Sequence, residues 1–258
     1  MSATTNGDHI SDISLAVERH IALVEIHRPP ANYFDAALLS DIVGAITQAA
    51  DLGARAAVLG SEGKHFCAGL DFGASGQPDA RSLTELYGVG RQLLASPIPV
   101  VAAVQGSAVG GGLGLALACD FRVAASTSRF SANFARLGFH QGFGISITLP
   151  HVVGGQRALD LLTTGRRVDG NEALQIGLCD RLDEDPRAGA RALADELASS
   201  APLAVAAIRA TMRRGLLDAF ASMVAHERDE QLRLMASDDF AEGIAASLAR
   251  RSPDFQGR

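Results

Sequence analysis

The sequence predicts an α/β fold from two kinds of segment that succeed one another along the chain. Short apolar runs rich in β-branched residues, such as Val100–Val104, have the length and composition of strands covered on both faces. Other segments place apolar residues three and four positions apart, which is typical of an amphipathic helix. Because the two patterns alternate in the first half of the chain, they predict β-α-β units.

The first elements are predicted to be a hairpin and a helix. Ile13–Val17 and Ile21–Ile26 flank the polar segment 18–20, and Pro29-Pro30 ends the second strand. Asp35 is a suitable N-cap for a helix that follows it. The apolar residues that define this helix are Leu38, Leu39, Ile42, Val43, Ile46, Ala49 and Ala50.

The remaining elements follow from the same patterns. They are a strand at Ala56–Gly60, a helix at Ser82–Ala95, the Val100–Val104 strand, a turn at Gln105–Ser107, a helix at Leu113–Ala118, and strands at Phe121–Ala125 and Arg129–Ser131. After these strands the sequence predicts mostly helix. We therefore divide the chain into a frayed terminus (1–12), a core (13–195) and a C-terminal helical region (196–258).

Composition excludes several classes of function. The net charge is −6, with no Trp and only two Tyr, so the chain lacks the basic surplus and the stacking residues of a nucleic-acid-binding protein. The uncharged run 92–119 contains several Gly and Pro, which argues against a membrane helix. The polar N-terminus lacks the features of a secretion signal, which predicts a cytoplasmic protein. Three scattered cysteines predict neither a disulfide framework nor a metal site.

Three consecutive glycines, Gly110–Gly112, connect a strand to the helix at Leu113–Ala118. Free backbone N–H groups beside a helix N-terminus favour negative charge. The loop has neither the Gly-Lys-Ser/Thr of a P-loop nor the G-x-G-x-x-G spacing of a dinucleotide site. The pattern is therefore compatible with an anion site of another kind, or with a turn where glycine only permits close packing.

Six segments resemble the signatures of the enoyl-CoA hydratase/isomerase (crotonase) family. The resemblance spans nearly the whole chain, and its most specific parts are two glycine-containing loops. The matching segments are 27–32 (HRPPAN), 63–72 (GKHFCAGLDF), 108–112 (AVGGG), 161–165 (LLTTG), 172–178 (EALQIGL) and the ending 238–255.

This resemblance implies a fold and an assembly that the periodicity alone does not. It implies a crotonase-like spiral of ββα units with a C-terminal helical region that mediates trimerisation, as a homotrimer or a hexamer built as a dimer of trimers. It also implies an acyl-CoA thioester as substrate, with coenzyme A as part of that substrate and no separate cofactor.

The resemblance further implies particular site residues. The backbone N–H groups of Leu70 and Gly111 would form an oxyanion hole for the thioester carbonyl, where negative charge develops in the transition state. The residues implied to contact coenzyme A are Ala31, Lys64, Cys67, Ala68, Gly69 and Asp71, with Arg250 or Arg251 from a neighbouring subunit at a phosphate. For Lys64, the equal alternative is an ordinary exposed loop residue.

The sequence departs from the family at its acid–base residues. Family hydratases carry one glutamate two residues beyond the glycine triplet and another after the following strand, and here Gly114 and Phe134 hold those positions. A third position, used for an aspartate by some relatives, is Gly142. No Asp or Glu occurs between Phe121 and Leu159, so a small shift of register restores no acid. The sequence therefore predicts that the protein is not an efficient hydratase.

Other polar residues are weaker candidates for catalysis. His140 lies in a loop with two phenylalanines and titrates nearest to neutral pH, so it is the candidate for proton transfer, with a structural histidine as the alternative. Arg136 could bind a substrate carboxylate or lie on a solvated face, and Asp71 could be an acid or hold its loop. Phe134 predicts a dry pocket suited to a large or aromatic acyl group.

Two classes of function remain open at this stage. One is an enzyme that stabilises an enolate in a reaction other than hydration, such as isomerisation, decarboxylation or thioester hydrolysis. The other is a catalytically silent protein of the same fold that binds acyl-CoA or serves as an assembly partner.

Overall fold

The computed structural model describes residues 12–72 and 77–258. Of the frayed terminus predicted at 1–12, residues 1–11 lie outside the described part. Among the described residues the strands form two sheets, one of six strands and one of three. The predicted α/β class is confirmed.

The large sheet carries the first predicted strands. Its first two strands pair antiparallel as a hairpin, and every later neighbour pairs parallel. In spatial order its strands are β1 (Ile13–Glu18), β2 (Ile21–Ile26), β3 (Ala56–Ser61), β4 (Val100–Val104), β6 (Phe121–Ala124) and β9 (Arg181–Leu182).

Helices follow or cover these strands. Asp35 caps the first of them as predicted, because its carboxylate accepts a hydrogen bond from the Leu38 N–H at 2.8 Å. The helices are α1 (Ala36–Asp51), α2 (Ala80–Leu94), α3 (Gly111–Ala118), α4 (Ile145–Val153), α5 (Gly155–Thr164), α6 (Gly170–Gln175), α7 (Pro186–Ser199), α8 (Pro202–Met235) and α9 (Asp238–Leu248), with a 3₁₀ helix at Asn133–Leu137.

The central strands are buried on both faces, as their composition predicts. Every residue of β3 and β4 is buried. Successive side chains point to opposite faces of a strand. Thus Val58 packs in the cluster that includes α7, and Leu59 packs in the larger cluster that includes α1 to α3.

The small sheet consists of strands that the sequence only partly predicts. It contains β5 (Ser107–Val109), β7 (Arg129–Ser131) and β8 (Arg167–Asp169). The turn predicted at Gln105–Ser107 is shorter than expected, because Ser107 begins β5 and pairs parallel with β7. A three-residue strand has too few side chains for its alternation to be recognised in the sequence.

The two sheets explain how the ββα units repeat. β4 and β6 each belong to the large sheet, and each is followed by a strand of the small sheet and then a helix. Cys67, after β3, makes an isolated parallel bridge to Ala108 in β5. The segments that follow β3, β4 and β6 therefore leave the large sheet at the same edge, beside the small sheet.

The C-terminal part packs back onto this core. Asp120 forms ion pairs with Arg209 at 2.9 Å and Arg213 at 3.0 Å, and all three side chains are nearly buried. These pairs attach α8 to the end of α3. The predicted division at 195/196 falls within α7 and stays a prediction. None of the described helices is both long and apolar enough to cross a membrane.

Candidate active site

Two loops from different ββα units meet where the predicted oxyanion hole would lie. A Cβ atom on Gly69 would be only 2.9 Å from the Gly111 nitrogen, so the two backbones are in direct contact. Val109 N–H donates to the Cys67 carbonyl at 3.0 Å, and Ala68 N–H donates to the Ala31 carbonyl at 2.9 Å. The loop after β3 is thus held between the small sheet and the segment before α1.

The directions of the Leu70 and Gly111 N–H groups follow from the direction of the C=O in the same peptide group. The Gly69 carbonyl accepts a hydrogen bond from Phe34 N–H at 2.9 Å, and the Gly110 carbonyl accepts one from the first turn of α3 at 3.0 Å. In a planar trans peptide the N–H points away from the C=O. Within the described residues, neither Leu70 N–H nor Gly111 N–H has an acceptor, and both residues line one cavity. The predicted pair is therefore available to bind an anionic oxygen.

The Cys67 thiol is part of this scaffold. It is fully buried, and it accepts a hydrogen bond from Gly69 N–H at 3.3 Å. Burial raises the pKa of the Cys67 thiol to about 12, so the thiolate is not formed near neutral pH. The side chain therefore supports the loop and is not a nucleophile.

A groove of about 630 Å³ leads to the hole from the outside. Ala31, Leu70 and Asp71 line it, as do the N-terminal turns of α1 and α2. This is room for an extended ligand such as a pantetheine arm, since ligand sites commonly occupy about 300–1,000 Å³. The groove thus brings together Ala31, Leu70 and Asp71, three residues that the resemblance assigns to the site.

The other residues implied to contact coenzyme A lie elsewhere. Ala68 lines the cavity on the inner side of the hole. Lys64 is exposed and belongs to neither the groove nor that cavity. Arg250 lines a separate cleft of about 690 Å³ together with Arg136 and Arg167. The contacts implied for Lys64 and Arg250 stay predictions.

The cavity inside the hole is small, and most of its lining is apolar. Its volume is about 70 Å³. Among its walls are Phe34, Phe72, Phe134, Phe139 and Phe143. The pocket is apolar, as the sequence predicted, and the large or aromatic acyl group expected there stays a prediction.

The Phe143 ring takes up the space beside Gly114 and Gly90. A Cβ atom on Gly114 would lie 2.9 Å from the Phe143 ring, and one on Gly90 would lie equally close to it. Phe143 adopts a φ of 62°, which a bulky residue rarely does, and its ring packs 5.3 Å from that of Phe34. The ring therefore fills the space beside Gly114, the position at which the resemblance implies the first glutamate.

The other two acid positions are also closed. Phe134 is 6% exposed and packs edge-on against Phe139. A Cβ atom on Gly142 would lie 2.6 Å from the Gln231 side-chain nitrogen and still closer to the Tyr87 hydroxyl. All three positions are consequently surrounded by packed side chains and not by open space.

Sequence reasoning missed three polar side chains around this cavity. Tyr87 donates a hydrogen bond to the Gln231 carbonyl oxygen, and both side chains line the cavity. Glu227, one turn earlier on α8, accepts hydrogen bonds from Gly144 N–H at 2.7 Å and Ser146 N–H at 2.8 Å. Tyr87 follows Leu83 and Leu86 on the apolar face of α2, and this spacing could have indicated that its hydroxyl is buried.

Burial governs the ionisation of these groups. Burial raises the pKa of the Tyr87 phenol, and the neighbouring Glu227 raises it further, so the phenol is neutral at physiological pH. Burial also raises the pKa of Glu227, whose oxygens are occupied by the backbone of the loop before α4. The Tyr87 phenol carries no charge, and the Glu227 carboxylate is bound to the backbone and does not line the cavity.

His140 lies behind the cavity wall. Its Nδ1 is 2.7 Å from the Gln141 carbonyl, and its ring centre is 5.8 Å from that of His226. Burial lowers the pKa of His140, which favours the neutral ring. The residue is not part of the cavity lining, although its carbonyl accepts a hydrogen bond from Gln231. The catalytic role of His140 stays a prediction.

Within the two described ranges, no group of three or more His, Cys, Asp and Glu side chains is arranged to hold a metal ion.

Comparisons with known proteins agree with this geometry. The family model described as enoyl-CoA hydratase/isomerase matches residues 16–258. The chain is 37% identical to the cyclohexa-1,5-dienecarbonyl-CoA hydratase of Thauera aromatica (96% of this chain, 98% of the relative) and 33% identical to a probable enoyl-CoA hydratase of Bacillus subtilis strain 168 (95% and 98%). A solved enoyl-CoA hydratase from Mycobacterium avium subsp. paratuberculosis K-10 superposes with a TM-score of 0.85 at 27% identity, over 96% of this chain and 100% of that one. The predicted spiral fold is confirmed by this likeness.

We expect Gly114→Ala to destabilise the protein by about 1–3 kcal/mol, because the added methyl group would overlap the Phe143 ring. Phe143→Leu should reduce this cost, so the double variant should be more stable than the sum of the two single effects predicts. Urea unfolding of the four proteins measures this coupling.

Gly44→Ala is the matched control for this cycle. Gly44 lies inside α1, where an added Cβ atom meets no atom within 4 Å. The substitution should stabilise the protein by about 0.5–1 kcal/mol through helix propensity. Strict additivity of Gly114→Ala and Phe143→Leu would show that the ring does not occupy this position.

Proposed function

Because this chain belongs to the enoyl-CoA hydratase/isomerase family, we propose that it binds an acyl-CoA with the thioester carbonyl at Leu70 and Gly111. The supporting observation is that both N–H groups lack acceptors within the described residues and open into one cavity. Gly111 also begins α3, so the positive end of a helix dipole adds to the attraction for an oxyanion. Removal of one such donor typically costs about 10²–10³ in rate.

The coenzyme A part would occupy the groove along Ala31 and Asp71, outside the hole. A groove between the first turns of two helices offers backbone donors for amide and phosphate groups. Arg250 would contact phosphate only from a neighbouring subunit, since within its own chain it lies in a different cleft.

The reaction we propose is enolate stabilisation without efficient addition of water. Hydration requires water at one carbon and a proton at its neighbour, and a positioned acid or base contributes about 10²–10⁴ to such steps. No described residue that lines the inner cavity is an Asp or Glu. Isomerisation, decarboxylation and thioester hydrolysis need fewer acid–base groups on this scaffold.

A catalytically silent acyl-CoA-binding protein is the second candidate function. The same observation supports it, because a hole without an acid or base binds a thioester but does not by itself move a proton. Turnover of a panel of CoA thioesters distinguishes the two candidates.

We expect hydration of crotonyl-CoA to be absent, or slower by several orders of magnitude than in a family member with both glutamates. The measurement is the loss of enoyl absorbance over time, with such a hydratase as the positive control. Rapid hydration by this protein would contradict the proposal, because it would require the work of a carboxylate that the described lining lacks.

The oxyanion hole is tested by two substitutions at one position. Gly111→Pro removes the N–H, whereas Gly111→Ala keeps it, and both add a Cβ atom that would lie 2.8 Å from the Phe34 ring. Relative to Gly111→Ala, we expect Gly111→Pro to weaken binding of enolised acetoacetyl-CoA about tenfold or more, and binding of free CoA little. Calorimetry measures both affinities.

Gly111→Ala separates the effect of the lost donor from the effect of added volume. If the two variants weakened enolised acetoacetyl-CoA and free CoA by the same factor, the assignment of Gly111 to the oxyanion hole would be wrong.

We propose that the protein assembles as a homotrimer or a hexamer through its C-terminal helices. Large apolar side chains of α8 and α9 are exposed in the single chain, including Leu203 (86% exposed), Ile208 (64%), Met212 (68%) and Leu248 (72%). Such a surface is unusual for a monomer. Sedimentation at micromolar concentration should give a mass of three or six chains, and a single monomeric species would contradict the proposal.

A further inference from the structure

A row of three polar side chains crosses the first three strands of the large sheet. Ser14 lies on β1, His27 directly follows β2, and Glu62 directly follows β3. His27 Nε2 is 2.9 Å from Ser14 Oγ, and His27 Nδ1 is 3.0 Å from Glu62 Oε2. A hydroxyl at one imidazole nitrogen and a carboxylate at the other is the arrangement that activates a serine nucleophile. None of the three residues lines the groove or the inner cavity described above.

The sheet fixes the positions of these side chains. Ser14 pairs with Glu25 across the antiparallel ladder of β1 and β2. His27 lies two positions after Glu25, and alternate residues of a strand share one face of the sheet. Glu62 N–H donates to the Ile26 carbonyl at 2.8 Å, which continues the parallel pairing of β2 and β3. The row is therefore held by neighbouring strands, which position a site more precisely than loops do.

The carboxylate sets the tautomer of His27. An ionised carboxylate can only accept hydrogen bonds, so His27 Nδ1 carries the proton that Glu62 receives. In the neutral ring Nε2 is then an acceptor, and the Ser14 hydroxyl donates to it. The basic nitrogen of the ring thus faces the serine proton that it would have to remove.

A second carboxylate on the same face is already paired. The Glu25 side chain, opposite Ser14, accepts a hydrogen bond from Arg187 of α7. This ion pair occupies Glu25 and leaves Glu62 as the acid at the His27 ring. It also places a guanidinium on the face that carries Ser14.

The residue after the serine has a free backbone donor. His27 N–H donates to the Asp12 carbonyl at 2.7 Å, so these two residues form a hydrogen-bonded pair. Bonded and non-bonded pairs alternate along an antiparallel ladder, and Leu15 with Val24 is a non-bonded pair. Leu15 N–H therefore points away from β2, to the edge of the described sheet, where β1 is the outermost strand. In many serine hydrolases the N–H after the nucleophile binds the oxyanion.

We propose that Ser14, His27 and Glu62 form a second active site, which hydrolyses short carboxylic esters through an acyl-serine intermediate. This inference goes beyond the proposed function and does not depend on it, because no acyl-CoA is required. Ser14 is exposed on the sheet, and the Glu62 side chain is 56% exposed. Such an open site suits small, unhindered acyl groups with a good leaving alcohol, and it does not select a long chain.

The reaction balances with water as the second substrate. Ser14 Oγ attacks the ester carbon while its proton passes to His27 Nε2, and Glu62 stabilises the imidazolium that forms. The negative oxygen receives the Leu15 N–H. The bond between the carbon and the alcohol oxygen then breaks, and the alcohol takes the proton from His27. Water repeats the sequence on the acyl-serine, which releases the carboxylic acid and restores the Ser14 hydroxyl.

Covalent labelling tests the nucleophile. A fluorophosphonate forms a bond between phosphorus and a serine oxygen and expels fluoride, so it marks an activated serine. We expect mass spectrometry of the native wild-type protein to find the label on Ser14. His27→Gln should slow this labelling about tenfold or more, because the base is lost. His20→Gln is the matched control, since His20 Nδ1 also meets an acceptor, the Gly53 carbonyl at 2.9 Å, but the structure records no serine at its other nitrogen.

Hydrolysis of p-nitrophenyl acetate tests turnover. Wild type and His20→Gln should release nitrophenol at the same rate, and Ser14→Ala should fall to the rate of buffer. Glu62→Gln should lose about tenfold or more, because an amide does not stabilise the imidazolium. These side chains are on the surface, and urea unfolding of each variant verifies that the fold is retained.

Three results would overturn the inference. They are a label on a residue other than Ser14, equal labelling of Ser14 in wild type and His27→Gln, and ester hydrolysis by wild type no faster than by Ser14→Ala. Calorimetry of acyl-CoA binding to the same proteins keeps the two proposals apart, because an ester result of either kind leaves the affinity for acyl-CoA to decide the proposed function.

Discussion

The close approach of two glycine-containing loops is the constraint on which the rest of the site depends. A Cβ atom on Gly112 would overlap the Cys67 carbonyl, and one on Gly69 would press on the Gly111 nitrogen. Only glycine permits this contact. It brings the Leu70 and Gly111 amides to one cavity, and the peptide planes on either side direct them away from the scaffold.

The scaffold supplies this contact through its two sheets. Strands of the large sheet deliver successive chain segments to one edge, and the small sheet holds the segments that follow them. The parallel bridge from Cys67 to Ala108 continues the small sheet into the loop after β3. Donors fixed in this way need no rearrangement when charge develops on the substrate, which is the physical basis of electrostatic catalysis.

The inner wall of the cavity is formed by packed side chains. Phe143 occupies the space beside Gly114, and the Tyr87–Gln231 pair occupies the space beside Gly142. Glu227 holds the loop that carries Phe143 by accepting two of its backbone N–H groups. The helix α8 therefore contributes to the wall of the inner cavity, which the two glycine loops also line.

The sequence by itself determined the order of the main strands and helices, the two glycine-containing loops that carry Leu70 and Gly111, and the absence of acids at positions 114, 134 and 142. These features depend on local periodicity, on glycine and on a resemblance of motifs. Only the tertiary structure decided the size of the cavity, the place of His140 behind its wall and the pairing of Tyr87 with Gln231. The last two residues are 144 positions apart, and no local pattern records which side chains long-range packing brings into one small space.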